Sequence, residues 1–388
     1  MTVWPLLCLA LWIDLPSVEV TTLKGERHQG ALVELSDRAL RLSRESETID
    51  LSLAEVLEVH LASPPTTEPA SGARVVLADG TQVTCREFAV RKNQATLDSL
   101  QCGAFAVPIA RVAHVRLGIS TAKLDEAWEG LLARESKKDL LVLRKEDSLD
   151  FLDGVAGDIG EKISFLIDGD EIPVARDRVY GLILRRKAGN LSKPICQMTL
   201  TGGDRLQASR VAWDGSQFLV RLAAGADLTL AEDAPLHLDF SAGKVKYLSQ
   251  LEPRDAKYVS FWGDEPIIHE YRRDRSLDGA PLTLAGKVYP RGIALHSKST
   301  LRYRLAGDYA RFQAMLGIDD SVRRQGHVRV VISGDGKSLY AGDVKGTDPP
   351  RPLDLDVGGV RDLEILVDFG ADLDIADHLD LADAKLIK

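Results

Sequence analysis

Six aspartates crowd the end of the sequence: Asp368, Asp372, Asp374, Asp377, Asp380 and Asp383. Hard carboxylate oxygens at short spacing suit Ca²⁺ better than a transition metal. A structural calcium held by Asp377, Asp380 and Asp383 is therefore one expectation, although the spacing does not follow an EF-hand loop. A solvated acidic loop is the alternative. The other candidate ligands are sparse. His28, His60, His114 and His237 are scattered through the first two-thirds of the chain without metal-ligand spacing. Four cysteines, Cys8, Cys85, Cys102 and Cys196, contain no C-x-x-C pair, so no structural zinc site is expected. Cys85 and Cys102 close two adjacent strand-like runs, 81–90 and 95–100, and fit either a cross-strand disulfide or two buried thiols. No G-x-S-x-G, H-E-x-x-H or phosphate-cradling glycine loop is present, which points away from an enzyme.

Those residues sit in a chain of 388 residues with 45% hydrophobic and 28% charged residues, enough to bury the cores of two or three domains. Acidic residues outnumber basic ones, 58 to 49, for a net charge of −9. A nucleic-acid partner is not expected, because phosphate neutralisation needs clustered Lys and Arg. Residues 1–16 hold an apolar run ending at Asp14, shorter than the roughly 20 residues of a membrane-spanning helix. Its length suits the apolar part of a secretory signal peptide. No Lys or Arg precedes it and no small-x-small site follows, so a first strand is the alternative. A secreted or extracytoplasmic protein without a transmembrane helix is expected.

From residue 17 to 240 one pattern recurs four times, in residues 17–63, 73–118, 139–187 and 195–240. Each copy has short alternating strands and Gly-centred turns. In the second, Val75-Val76-Leu77 runs into Ala78-Asp79-Gly80-Thr81, a hairpin signal. Units of about 45 residues with four or five strands suit tandem small SH3-like barrels or sandwiches. These repeats are expected to be structural or to contact protein partners. A Pro-rich linker, Pro64-Pro65-Thr66-Thr67-Glu68-Pro69-Ala70-Ser71-Gly72, separates the first two copies. One helix is expected over residues 120–137, capped by Thr121 or Ser120. Leu124, Trp128, Leu131 and Leu132 form its packing stripe.

Beyond residue 244 the alternation becomes cleaner. Leu301-Arg302-Tyr303-Arg304-Leu305 alternates apolar and basic residues. Phe312, Ala314, Leu316 and Ile318 recur on every second position, as do Val328, Val330 and Ile332, and Leu363, Ile365 and Val367. Period-two runs with Gly-rich turns predict an antiparallel jelly-roll β-sandwich over residues 244–388. The whole chain thus reads as all-β with one helix.

Several segments here resemble a known family. They are Tyr247-Leu248-Ser249-Gln250-Leu251-Glu252-Pro253, the stretch from Gly286 through Arg291-Gly292-Ile293-Ala294-Leu295-His296-Ser297, Gly317-Ile318-Asp319-Asp320, Gly326-His327-Val328 and Asp377-His378-Leu379-Asp380-Leu381. In order and spacing they are similar to the NPCBM family of carbohydrate-binding modules found beside glycoside hydrolases, including family 98. Leu381 departs from the pattern, which usually has Trp there. The resemblance implies a non-catalytic sandwich that binds glycan or polysaccharide, typically near galactose-type residues. A sugar site needs an aromatic face and planar polar groups. Tyr258, Phe261, Trp262, Tyr271, Tyr289, Tyr309 and Tyr340 supply aromatics. Trp262, in the loop-like Phe261-Trp262-Gly263-Asp264, is the expected stacking platform, with His296, Asp319, Asp320 and His378 as polar contacts. A structural or protein-interaction scaffold without sugar binding is the competing reading.

Overall fold

The computed structural model describes residues 15–45, 47–62, 72–260, 269–371 and 373–388. The apolar run before Asp14, nearly all of the Pro-rich linker, Trp262 and Asp372 lie outside them. Two compact units divide the chain, Met1–Ala242 and Gly243–Lys388.

The first unit consists of four modules with the same connectivity. In the first, Ser17–Thr22, Arg27–Leu35, Ala39–Arg44 and Glu47–Ser52 pair in sequence as antiparallel hairpins, and Val56–Leu61 returns to pair with Ser17–Thr22. The same five-strand meander, closed by the fifth strand on the first, recurs from Ala73 to Arg116, from Asp139 to Ile183 and from Cys196 to Asp239. Alternation explains the burial. Val18 and Val20, Leu40 and Leu42, and Ala95 and Leu97 point inward, while their neighbours face water. A single 3₁₀ turn, Ile109–Arg111 or Arg176–Arg178, leads into the fifth strand of the second and third modules.

The modules are not beads on a string. Val56–Leu61 of the first pairs with Pro235–Asp239 of the fourth, and Val112–Arg116 of the second pairs with Val179–Ile183 of the third. Buried residues from Val18 to Phe240 therefore form one continuous core. Cys85 lies opposite Ser99 rather than Cys102. Both thiols are free and buried, and burial pushes each up to about 12.

The helix spans Ala122–Ala133, shorter than the expected 120–137. Thr121 Oγ1 accepts from the Leu124 amide, 3.4 Å away. The apolar stripe ends at Leu132, and Arg134 turns extended because no apolar residue follows to hold another turn. Arg185 donates to the carbonyls of Leu132 and Arg134 at 3.0 and 2.9 Å, satisfying the orphaned end. Leu124 and Trp128 pack on Leu140, Val142, Tyr180 and Ile183. Gly181 permits this, since a Cβ there would sit 2.7 Å from the Trp128 ring.

The second unit is an antiparallel sandwich. One sheet runs in the order Arg272–Arg273, Gly292–Leu295, Leu379–Ile387, Arg311–Ile318 and Arg351–Asp356, with Val245–Tyr247 also on Leu379–Ile387. The facing sheet runs Asp255–Tyr258, Ser299–Arg304, Asp362–Phe369, His327–Gly334 and Lys337–Lys345. The alternating positions Phe312, Leu316, Val328, Val330, Ile332, Leu363, Ile365 and Val367 fill the core. Leu381 is fully buried among them, so the smaller side chain at this position is a packing change. Gly292, at φ 154°, lies where a Cβ would meet the Leu381 carbonyl at 2.6 Å, which explains the glycine.

Candidate functional site

The sandwich brings three of its histidines, His269, His296 and His378, together. His296 follows Gly292–Leu295, His378 precedes Leu379–Ile387, and these two strands pair directly, Leu295 opposite Leu379. Tyr258 ends Asp255–Tyr258 opposite Ser299. His269 completes the group. Its ring stacks on His296 with centroids 4.0 Å apart and 8° between planes. Tyr258 meets both imidazoles edge-on, at 5.7 Å from His269 and 6.2 Å from His296. His378 meets His296 edge-on at 6.2 Å. Of this group Tyr258 and His269 line a cleft of about 380 Å³, together with Lys257, Glu270 and Tyr271.

Burial favours the neutral form of His296 and His269. His296 is only 4% exposed, and burial, helped by the neighbouring His269, pushes it down to about 4. Burial likewise lowers His269, with His378 adding to the effect, and burial raises Tyr258 above its ordinary value. A neutral imidazole offers one donor and one acceptor, which is what a sugar hydroxyl needs. His296 Nδ1 lies 3.4 Å from both the carbonyl and the hydroxyl of Ser297, so its contacts are largely local. His378 Nδ1 stands 3.6 Å from Asp278 Oδ2.

The two adjacent aspartates are occupied by backbone. Asp319 Oδ1 accepts from the Ser321 amide at 2.9 Å and Oδ2 from the Thr283 amide at 3.2 Å. Asp320 accepts from the amides of Ala285 and Gly286 at 2.9 and 2.6 Å, pinning the turn of the small hairpin Leu282–Leu284 and Lys287–Tyr289. Asp319 also faces Asp380, which is fully buried. Burial first, and then the hydrogen bond with Asp319, pushes Asp380 up to about 10, so it keeps its proton at neutral pH and donates it to the ionised Asp319.

The three carboxylates expected around calcium do not converge. Asp377 Oδ1 accepts from the His327 amide at 3.0 Å, Asp380 faces Asp319, and Asp383 pairs with Lys385 Nζ at 2.8 Å. The register slips beside Asp383, which takes φ 51°, so strand periodicity does not carry across this bulge. Among the described residues the one group of His, Cys, Asp and Glu side chains with metal-holding proximity lies elsewhere: Glu58, His60 and His237 of the first unit. Scattered histidine spacing gave no hint of it, because strand pairing, not sequence, makes the group. His269 was also missed, lying next to a segment with no alternation to read. Tyr258 was visible only as one aromatic among several, and Trp262, the expected platform, lies outside the described residues.

Parts of this chain resemble known proteins. A Renibacterium salmoninarum protein named "Putative endo-alpha-N-acetylgalactosaminidase" is 34% identical over 91 residues, which are 23% of this chain and 6% of that protein. The chain thus spans a small fraction of that relative's length. A Clostridium perfringens CBM51 module from a GH95 enzyme, solved with methyl-galactose, is 26% identical over 37% of this chain and 99% of its own, with a TM-score of 0.33. A Clostridium perfringens CBM51-2 module with INT domains from ZmpB, solved with GlcNAc, is 22% identical over 46% of this chain and 37% of its own, with a TM-score of 0.34. The family model described as the NPCBM/NEW2 domain matches residues 244–387, a little over a third of the chain and nearly all of the second unit. Residues 244–387 form an NPCBM/NEW2 domain.

Proposed function

We propose that the carboxy-terminal domain binds a glycan in the cleft beside Tyr258, His269 and Tyr271, weakly and without converting it. The observation that carries this reading is the NPCBM/NEW2 match over a domain whose cleft combines the rings of Tyr258 and Tyr271 with the imidazole of His269, which burial biases toward its neutral form. A pyranose offers an apolar C–H face for a ring and hydroxyls for donors and acceptors. The names of the relatives, which mention methyl-galactose, GlcNAc and N-acetylgalactosamine, favour a galactose-type or N-acetylated hexose. At about 380 Å³ the cleft is at the small end of ligand sites, which run from about 300 to 1,000 Å³. Sugar hydroxyls exchange water for protein at small net gain. A Kd of about 10 μM to 1 mM follows, about −7 to −4 kcal/mol. The four-module unit serves as a spacer or protein-contact element in this reading, and the protein works outside the cytoplasm. Among the described residues no helix is long and apolar enough to cross a membrane.

A glycan array probed with the full chain, followed by calorimetric titration of the best sugar, tests the proposal. His269→Ala and Tyr258→Ala each weaken binding by about tenfold, at about 1.4 kcal/mol per decade. Trp262→Ala, measured in parallel, reports whether the sequence-derived platform joins the site. Absence of binding to every glycan overturns the function. Binding that survives both cleft substitutions overturns the site.

A further inference from the structure

A second site lies in the amino-terminal unit, on the seam between its first and last modules. His60, on Val56–Leu61, is directly opposite His237, on Pro235–Asp239, and Glu58 shares the strand face of His60 at two residues' remove. The two imidazoles stack, 4.3 Å between centroids at 16°. Glu58 Oε2 lies 3.3 Å from His237 Nε2 and 3.5 Å from His60 Nε2. One potential ligand atom from each residue falls within 4.8 Å of the others.

Those separations match a metal polyhedron. Nitrogen and oxygen ligands about 2.1 Å from a tetrahedral Zn²⁺ lie about 3.4 Å from one another. Two imidazole nitrogens and one carboxylate make a mixed N/O set suited to a divalent transition ion, and three protein ligands leave one position for water. Access is open. The side chains of Glu58, His60 and His237 are 35%, 50% and 26% exposed. His60 also borders a depression of about 340 Å³ lined by Ser17, Glu19 and Gln29. Glu19 is the direct strand partner of His60 on the other side, so a second carboxylate neighbours the group; its oxygens contact Gln29 at 2.7 Å and Arg27 at 3.7 Å.

We propose that Glu58, His60 and His237 bind a divalent transition-metal ion of the Zn²⁺ class, which cross-links the first and fourth modules. The ion replaces any proton shared between Glu58 and the two Nε2 atoms, leaving each imidazole neutral with its proton on Nδ1. Its ligands are separated by 177 and 179 residues of chain. Binding therefore stabilises only the folded unit and raises its melting temperature by mass action.

The test uses the metal-stripped full chain, without an affinity tag, titrated with ZnCl₂ in a calorimeter. One equivalent binds, zinc raises the melting midpoint, and chelator reverses the shift. Co²⁺ in place of zinc gives the visible bands of a tetrahedral N/O site. His60→Ala and His237→Ala each weaken zinc by about tenfold or more, and Glu58→Gln also weakens it, whereas His269→Ala leaves affinity unchanged. His60 is half exposed, and circular dichroism with the zinc-free melting midpoint verifies that its variant folds. No zinc uptake by the wild-type chain overturns the proposal. Unchanged uptake by a folded His60→Ala, His237→Ala double variant, or its loss in His269→Ala alone, overturns it equally.

Discussion

Each unit holds a stacked pair of imidazoles, and the two pairs differ in almost everything else. His60 and His237 stack on an open strand face beside a carboxylate, and the hydrogen bond from His237 helps hold Glu58 down to about 2. His269 and His296 stack at a similar distance, but His296 is buried and pushed down to about 4 by desolvation. Water and a facing charge make one pair suited to cations. Burial among rings makes the other suited to neutral, hydroxylated ligands. The residue type is the same in both; what surrounds it sets the chemistry.

Separate cores predict separate responses to damage. Phe312→Ala empties a fully buried position of the sandwich and costs that unit about 3–5 kcal/mol. Calorimetry shows two transitions, of which only the sandwich's moves. A shift of both by the same amount would show that the two units unfold as one.

Next in size is a pH effect in the sandwich. Asp380 titrates at an ordinary 3.8 when unfolded and near 10 when folded, so the folded state binds the extra proton between those values. Stability from this group is present at low pH and is lost as pH rises toward 10. Asp380→Asn keeps a donor for Asp319 and removes the titration. The melting midpoint of the sandwich falls from pH 7 to pH 9 in the wild type and falls less in the variant. His296 works the other way. Its folded value of about 4 lies below 6.5, so the unfolded state takes up the proton first and stability drops as pH falls from 6.5 toward 4. His296→Gln flattens that acid limb; an unchanged limb would place the loss on other groups.

The smallest expected effect belongs to the amino-terminal unit. Thr121→Ala removes the cap of the helix Ala122–Ala133 and costs about 0.5–2 kcal/mol, read in that unit's transition alone. Glycan affinity is unchanged by it. A loss of affinity would tie the helix to the sugar site and erase the functional division between the units.

Much of the architecture was legible because it rests on local periodicity. Val328, Val330 and Ile332 announced a half-buried strand, Leu124 and Trp128 a helix face, and the Asp79-Gly80 pair a hairpin, each confirmed in place. The candidate sites were less so. His296 and His378 were singled out and are neighbours, but their polar atoms face Ser297 and Asp278, and Asp319 and Asp320 hold backbone amides. The clustered aspartates suggested one site, yet Asp377, Asp380 and Asp383 have three different partners, because a bulge interrupts the strand that carries two of them.

By itself the sequence determined the elements: all-β units with one helix, four similar modules and a terminal sandwich, since side-chain alternation is set by the pitch of a strand or helix over a few residues. Only the tertiary structure decided which distant residues share a face. His60 meets His237 because the first module's fifth strand pairs with that of the fourth, and His269 stacks on His296 from a different part of the chain. The first pairing is selected by burial of a common core across more than a hundred residues, and no spacing along the chain records it.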